Sequence, residues 1–406
     1  MTTESMMSDE ALQSEVQTWL AENWSEEVAK TFGVDGYMSA SKGRQQWLAK
    51  VVEAGWAVPR WPAEWFGRDL GNDQAKIIER EFATARAPGT GQDRTNLWAN
   101  TLLAQGQRSL QEKLIGPLLR GEVNMCLLYS EPGAGSDLAG IRTRADLDGD
   151  HYIVNGQKVW TSGAATADYG MLIARTDWDV PKHLGISFFF LPMKQEGIEV
   201  RPLRQITNES HFNEVFITDA TVPAENMLAA PGSGWKVLNT ALAYERSTMG
   251  ENARGPRSGS KESSKEEPLI ALAKEAGKID DPALRQELAQ YLAYKRLNAL
   301  NTARAKADLA QGTSSSIMSL GKLAMSRILH EEGRLRTKIA GAQSLFEGEQ
   351  YPRAEDANFL SLNAYFTSIG GGTDQVQRNI IGERVLGLPK EPEVDKTIAF
   401  RDVRTS

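Results

Sequence analysis

A single cysteine, Cys126, stands in the 406 residues of the chain. No intrachain disulfide can form, which fits a reducing compartment, and the residue reads as a small buried hydrophobe. The longest largely apolar run, Ile186 to Leu191, falls far short of the ~20 residues that span a bilayer. The first residues, Met1 to Glu10, lack the basic and apolar regions of a secretory signal, so a cytoplasmic protein is expected. Nowhere does a Lys/Arg-rich stripe with interleaved aromatics appear, and nucleic acid is not an expected partner. No repeat of constant period shows, and no set of metal ligands is assigned.

What is present is ordinary globular material, 41% hydrophobic and 24% charged with a formal net charge of −7. The length suggests two or three domains. From Glu10 to about Glu122 apolar residues recur at three- and four-residue spacing, as in Val16, Trp19, Leu20 and Trp24, and predict helices interrupted by a proline-fixed loop from Gly55 to Pro62. From Val123 to about Ala230 the pattern changes to short β-rich runs: Tyr152-Ile153-Val154, Lys158-Val159-Trp160, Met171 to Ala174, Ile186 to Leu191 and Glu214 to Ile217. Asn155-Gly156 between the first two predicts a tight hairpin. After Gly234 the helical period returns in Trp235 to Met249. Gly250 to Pro268, rich in Gly, Ser, Lys and Glu, is expected to be a mobile loop. Asp281-Pro282 then caps a helix carrying Leu284, Leu288, Tyr291 and Leu292 on one face, followed by predicted helices over Ser316–His330, Arg334–Ala342 and Asp374–Leu386. The expected class is α+β, divided as 1–122 helical, 123–232 β and 233–406 helical.

Three segments carry chemical promise. Ser130-Glu131-Pro132-Gly133-Ala134-Gly135-Ser136-Asp137 is a glycine-rich loop whose backbone N–H groups can approach a ligand. A dinucleotide fingerprint is excluded, because Leu138 stands at its third glycine and no βαβ pattern surrounds it. In Asn155-Gly156-Gln157-Lys158-Val159-Trp160-Thr161-Ser162-Gly163, Trp160 offers a flat face to a ring system and the two hydroxyls offer hydrogen bonds. Tryptophan at a strand end is, taken alone, more often core. Gly370-Gly371-Gly372 before Thr373-Asp374-Gln375 exposes N–H groups at a helix start, a natural seat for a pyrophosphate and equally a plain turn.

Taken in order, these segments resemble the acyl-CoA dehydrogenase family from about Trp47 to Pro389, together with Val222 to Asn226 and Gly234-Trp235. The resemblance implies an N-terminal helical domain, a middle β domain and a C-terminal four-helix bundle, with FAD shared across a subunit interface in a homo- or hetero-oligomer, a dimer or tetramer. It places Tyr129, Ser130, Trp160, Thr161 and Ser162 at the isoalloxazine ring, Ser136 near both flavin and acyl-CoA, and Thr373 and Gln375 at the adenine and pyrophosphate end. Arg246 falls with the substrate, and an electron-transfer flavoprotein is the implied electron acceptor. One family element, Arg-x-x-Phe-Gly, has no counterpart after Glu245.

The implied reaction removes hydrogens from Cα and Cβ of an acyl-CoA thioester, a carboxylate taking the α-proton and flavin N5 the β-hydride. Many members carry that carboxylate immediately before the Gly-Thr of the third segment, where this chain has Gly371. Members resembling isovaleryl- and long-chain acyl-CoA dehydrogenases carry it on the first C-terminal helix before an Arg, and Glu245-Arg246 matches. Glu245 is therefore the expected base, with Asp374, which reads as a solvated cap beginning the helix after Thr373, the weaker rival, while the N–H of Gly371 remains as donor to the thioester carbonyl. Two alternatives stay open. One is a partner subunit of a heteromeric dehydrogenase that contributes FAD-binding surface, as in steroid side-chain enzymes; the other is a flavin oxidase or monooxygenase on the same fold.

Overall fold

The computed structural model describes residues 8–32, 40–252, 266–311, 317–348, 350–393 and 395–403, with the side chains of 245–252, 309–310 and 318–319 outside the description. Seven helices come first: α1 (Asp9–Asn23), α2 (Glu26–Lys30), α3 (Lys42–Glu53), α4 (Asn72–Thr84), α5 (Gln92–Thr95), α6 (Leu97–Gln105) and α7 (Arg108–Leu119). Serine hydroxyls start three of them, Ser8, Ser25 and Ser41 each accepting from a backbone N–H of the first turn. The spaced tryptophans are core: Trp47 lies 5.5 Å from Trp19 and 4.7 Å from Trp24 by ring centroids. The proline-fixed loop is held from below, where the Arg68 guanidinium lies 3.4 Å from the ring centroid of buried Trp56.

Eight strands follow: β1 (Met125–Leu128), β2 (Arg144–Asp148), β3 (His151–Ser162), β4 (Tyr169–Arg175), β5 (Ile186–Pro192), β6 (Ile198–Leu203), β7 (Phe212–Pro223) and β8 (Met227–Leu228). They form one sheet in the order β6-β7-β3-β2-β4-β5-β8, with β1 parallel to β4. The unbroken apolar runs of β4 and β5 have a direct cause. Met171, Ile173, Phe188 and Phe190 face the cluster that includes the N-terminal helices, and Leu172, Ala174, Phe189 and Leu191 face the β cluster. A strand covered on both faces reads as continuous hydrophobicity instead of alternation.

Asn155-Gly156 does not turn the chain. It lies inside β3, at a register irregularity against β7. The Asn155 amide donates to Asp219 Oδ1 at 2.9 Å and its oxygen accepts from the Asp219 N–H at 2.9 Å, while a Cβ on Gly156 would stand 2.4 Å from Thr143 Oγ1. A close approach, not a hairpin, requires that glycine; the β2–β3 turn is made at Gly149, φ +63°.

The helical remainder comprises α8 (Gly234–Asn252), α9 (Pro268–Glu275), α10 (Pro282–Ala310), α11 (Met318–Ala340), α12 (Pro352–Ile369) and α13 (Asp374–Ile380), the last continued by a π turn over Ile381–Val385. Most of the predicted mobile loop, 253–265, lies outside the described residues. Asp281 caps α10 as expected, accepting from Ala283 N at 2.8 Å. Two helices expected around Ser316–His330 and Arg334–Ala342 are one, α11. Gly333, which falls between the two expected ranges, serves packing, since a Cβ there would stand 2.7 Å from the Ser361 Cα of α12. Helix α12 has no counterpart among the expected helices.

Two compact units divide the chain, one of 1–204, 210–253 and 394–406 and the other of 205–209 and 254–393. The first holds α1–α8, the sheet and the final residues; the second holds α9–α13 around Leu284, Leu288, Tyr291, Ile328, Leu335 and Ile339.

Candidate active site

Strand β1 ends into the glycine-rich loop, and β3 runs beside it. The Val159 N–H donates to the Ser130 carbonyl at 2.9 Å, so the first and second segments are physically one surface. Beneath it Lys158 is fully buried, its ammonium donating to Glu131 Oε1 at 2.9 Å and to the Tyr129 carbonyl at 3.1 Å. Glu131 also accepts from the N–H groups of Arg142 at 2.7 Å and Thr143 at 2.9 Å. Burial pushes the Lys158 ammonium down from its ordinary value, against the pull of Glu131. For Glu131 burial pushes upward, but the Lys158 charge and these hydrogen bonds outweigh it and hold the carboxyl below its usual range. Neither partner emerged as a site residue from the sequence, though the signal was there: a lysine at an inward position of a half-buried strand, within one segment, and a glutamate within the other.

Next along the strand Trp160 sits with φ +62° at the second irregularity of β3, the residue 56% exposed and its ring edge-on to Phe212 at 5.8 Å. A bulky residue in the left-handed region is strained, and such strain concentrates at functional sites. Thr161 next to it is buried, with its hydroxyl lacking any partner among the described atoms. Ser162 is half-buried and pairs in register with Phe212. Ser130 is half-buried and Ser136 exposed. A Cβ on Gly133 or Gly135 would meet nothing within 4 Å, so no packing demands those glycines and the backbone faces open space. Tyr129 is placed differently from its neighbours: its ring is buried against Phe188 and its hydroxyl lies 3.9 Å from the Met171 sulfur. An exposed indole face, an unsatisfied hydroxyl and an open glycine loop together fit a flavin, and they would hold its ring through Trp160, Thr161, Ser162 and Ser130.

The third segment lies in the second unit. Gly371 and Gly372 adopt φ +63° and +88°, and Thr373, not Asp374, caps α13, its hydroxyl accepting from Val376 N at 3.1 Å. Gln375 is exposed on the first turn. Asp374 is engaged inside the unit, accepting from the Ser326 hydroxyl at 2.8 Å with Lys322 at 3.6 Å. Glu245 and Arg246 occupy the later turns of α8, and their side chains are outside the description. At the start of the same helix a cleft of about 470 Å³ is lined by His183, Ser233, Trp235, Lys236 and Asn239, with the His183 and Trp235 rings edge-on at 4.7 Å. Among the described residues no group of acidic, Cys or His side chains forms a metal site, and no helix is long and apolar enough to cross a membrane.

The class that this fold and this surface define is the FAD-dependent oxidoreductases acting on acyl-CoA thioesters. The chain belongs to the acyl-CoA dehydrogenase family: the model of its middle domain matches residues 126–220 and that of its C-terminal domain residues 232–386. It is 35% identical over 402 residues to the acyl-CoA dehydrogenase IpdE1 of Mycobacterium tuberculosis, covering 95% of this chain and 99% of that one. Among solved structures it resembles the Tcur3481-Tcur3483 steroid ACAD at TM-score 0.66 and 24% identity, covering 96% of this chain and 100% of that one. It also resembles the ChsE4-ChsE5 complex from Mycobacterium tuberculosis at TM-score 0.64 and 26% identity, covering 96% and 100%.

Proposed function

We propose that this enzyme oxidises the Cα–Cβ bond of an acyl-CoA thioester to the trans-2-enoyl-CoA, with the Glu245 carboxylate taking the α-proton. The observation that carries the assignment is Gly371: the position where many relatives hold the base is a glycine at φ +63°, while a Glu-Arg pair stands on helix α8. The Gly371 N–H donates to the thioester carbonyl and stabilises the charge that develops as the proton leaves, an effect typically worth ~2.7–4 kcal/mol. Bound FAD supplies the acceptor for the β-hydride. Ser130, Trp160, Thr161 and Ser162 hold its ring; Tyr129 contributes backbone and core support; Thr373 and Gln375 take its adenine and pyrophosphate end; Ser136 and Arg246 orient the thioester. The cleft beside Trp235 and Lys236 pairs aromatic faces with an ammonium, which suits the nucleotide end of coenzyme A. We place the domain limits at 1–122, 123–232 and 233–406, supported by the change from α7 to β1 and from β8 to α8. The cytoplasm and an electron-transfer flavoprotein remain its proposed location and electron acceptor.

The purified protein is expected to be yellow, with FAD released on denaturation. Recovery as a folded apoprotein that takes up no FAD, alone or with a second subunit, would count against the reading.

The active particle is expected to be a dimer or tetramer. Tyr365, Phe366 and Ile369 of α12 are 56%, 44% and 63% exposed, and Leu386 and Leu388 are exposed as well, apolar side chains that an interface would cover. The ChsE4-ChsE5 structure, 26% identical to this chain, is that of a complex, which favours a mixed assembly as the second reading. Light scattering on the active, flavin-loaded enzyme decides: a fully active monomer refutes an assembly of either kind.

A further inference from the structure

Arg175, at the end of β4, is fully buried although its direct partners are neutral. Its guanidinium donates to the carbonyls of Ala139 at 2.7 Å, Lys182 at 3.0 Å and Ile141 at 3.2 Å. The ring of Phe400 closes over it, 3.4 Å from Cζ to centroid. Gly185 makes room for this cage, since a Cβ there would stand 2.8 Å from Arg175 Nη1 and 2.0 Å from the Asp177 carbonyl oxygen. Burial pulls the guanidinium down to about 10.

Lys182 makes a second tie. Its ammonium donates to both Asp137 oxygens at 3.2 Å and to Asp395 at 3.0 Å. The segment that brings Asp395 and Phe400 lies across 178–182 through main-chain bonds, Phe400 N–H to Val180 O at 2.9 Å and Arg401 N–H to Trp178 O at 3.0 Å, with Arg401 also paired to Asp179. Both cations thus have one hand on the chain's final residues and the other on 137–141, immediately after Ser136.

The first half of the glycine-rich loop is held by the Glu131–Lys158 pair and by two main-chain bonds between Glu131 and buried Ala134, at 3.1 and 3.0 Å. Its far half is not: residues 135–137 are exposed, and the ties to Arg175 and Lys182 are what hold the chain beyond them. We propose that residues 395–403 act as a positioning strap: seating Phe400 on Arg175 and Asp395 on Lys182 fixes the far end of the loop, and with it Ser136, in the conformation that receives FAD and acyl-CoA. The inference rests on the assignment of Ser130 and Ser136 to that site made above. Arg175, Lys182, Asp395 and Phe400 are positioning residues, none of them touching a reacting atom. The chemistry of the contact is specific, because a desolvated guanidinium is attracted to an aromatic face and not to an aliphatic side chain of similar size.

The test compares Phe400→Leu, Phe400→Tyr and Asp395→Asn in the full-length enzyme. Amide hydrogen exchange over 132–140 reads the loop without reference to flavin, and is expected to rise in Phe400→Leu and Asp395→Asn while Phe400→Tyr stays near wild type. In the holoenzyme, Phe400→Leu is expected to weaken FAD and acyl-CoA binding on the order of ten-fold and to alter the visible circular dichroism of the flavin, with kcat at saturation little changed. Restoration by Tyr separates a ring contact from mere filling of space. Unchanged loop exchange in both Phe400→Leu and Asp395→Asn overturns the inference, as does a Tyr variant no better than Leu. If the loop loosens as expected but wild-type enzyme is reduced by no acyl-CoA, the strap stands and the assigned reaction fails.

Discussion

Glu245→Gln is expected to lower kcat by at least the ~10²–10⁴-fold typical of a general base, with FAD and acyl-CoA binding retained. Glutamine keeps the shape and most of the hydrogen bonding and removes only the basic carboxylate. The loss therefore falls on kcat and not on KM, as for any group that acts in the chemical step alone. Asp374, the other carboxylate near the third segment, is a poor substitute because Ser326 and Lys322 already engage it within its own unit. Gly371→Glu in the Glu245→Gln background returns a carboxylate to the position common in the family. At φ +63° a side chain costs about 1–2 kcal/mol, so only part of the turnover should return. Anaerobic flavin bleaching by a panel of linear, branched and steroid side-chain acyl-CoAs supplies the measurement. A Glu245→Gln enzyme reduced within a few-fold of the wild-type rate by its best substrate sinks the assignment, and the base must then come from Asp374 or a partner chain.

Breaking the ion pair under the flavin surface should have the largest effect on stability. Glu131→Gln leaves the Lys158 ammonium with the Tyr129 carbonyl and no counter-ion in a fully buried position. Removing one partner of such a pair costs about 3–5 kcal/mol. Lys158→Met should be costly too, although the N–H groups of Arg142 and Thr143 still face the carboxylate. The double variant Glu131→Gln/Lys158→Met should lose less than the sum of the single changes, because neither charge is stranded. The pH dependence follows from Glu131. Its folded carboxyl lies below the ordinary 4.5, so its contribution is present above that value and is lost as pH falls through the lowered folded value. Denaturant melts from neutral to acid pH should show wild type losing an increment of stability below about 4.5 that Glu131→Gln lacks. Additive single-variant losses would mean that the two residues are not coupled as their geometry implies.

The apolar periodicities are local, and they announced the helical beginning, the β middle and the helical end without help from the fold. The three motif segments likewise announced the family, because glycines and hydroxyls that serve a cofactor stand where no core pattern calls for them. Local pattern misleads where the reason for a residue lies on another element. Asn155-Gly156 has the composition of a turn, but its glycine answers to Thr143 and its asparagine to Asp219, so only the assembled sheet shows it to be strand. The two helices expected on either side of Gly333 are one, and that glycine is a contact point with α12. Asp374 looks like a cap, yet Thr373 takes that role and Asp374 turns to Ser326. Buried charges depend most on tertiary structure: Lys158 needs Glu131 from another segment, and Arg175 needs three carbonyls and a ring some 225 residues downstream. Desolvating a charge is tolerable only when partners distant in sequence converge on it, and that convergence exists only in the folded chain.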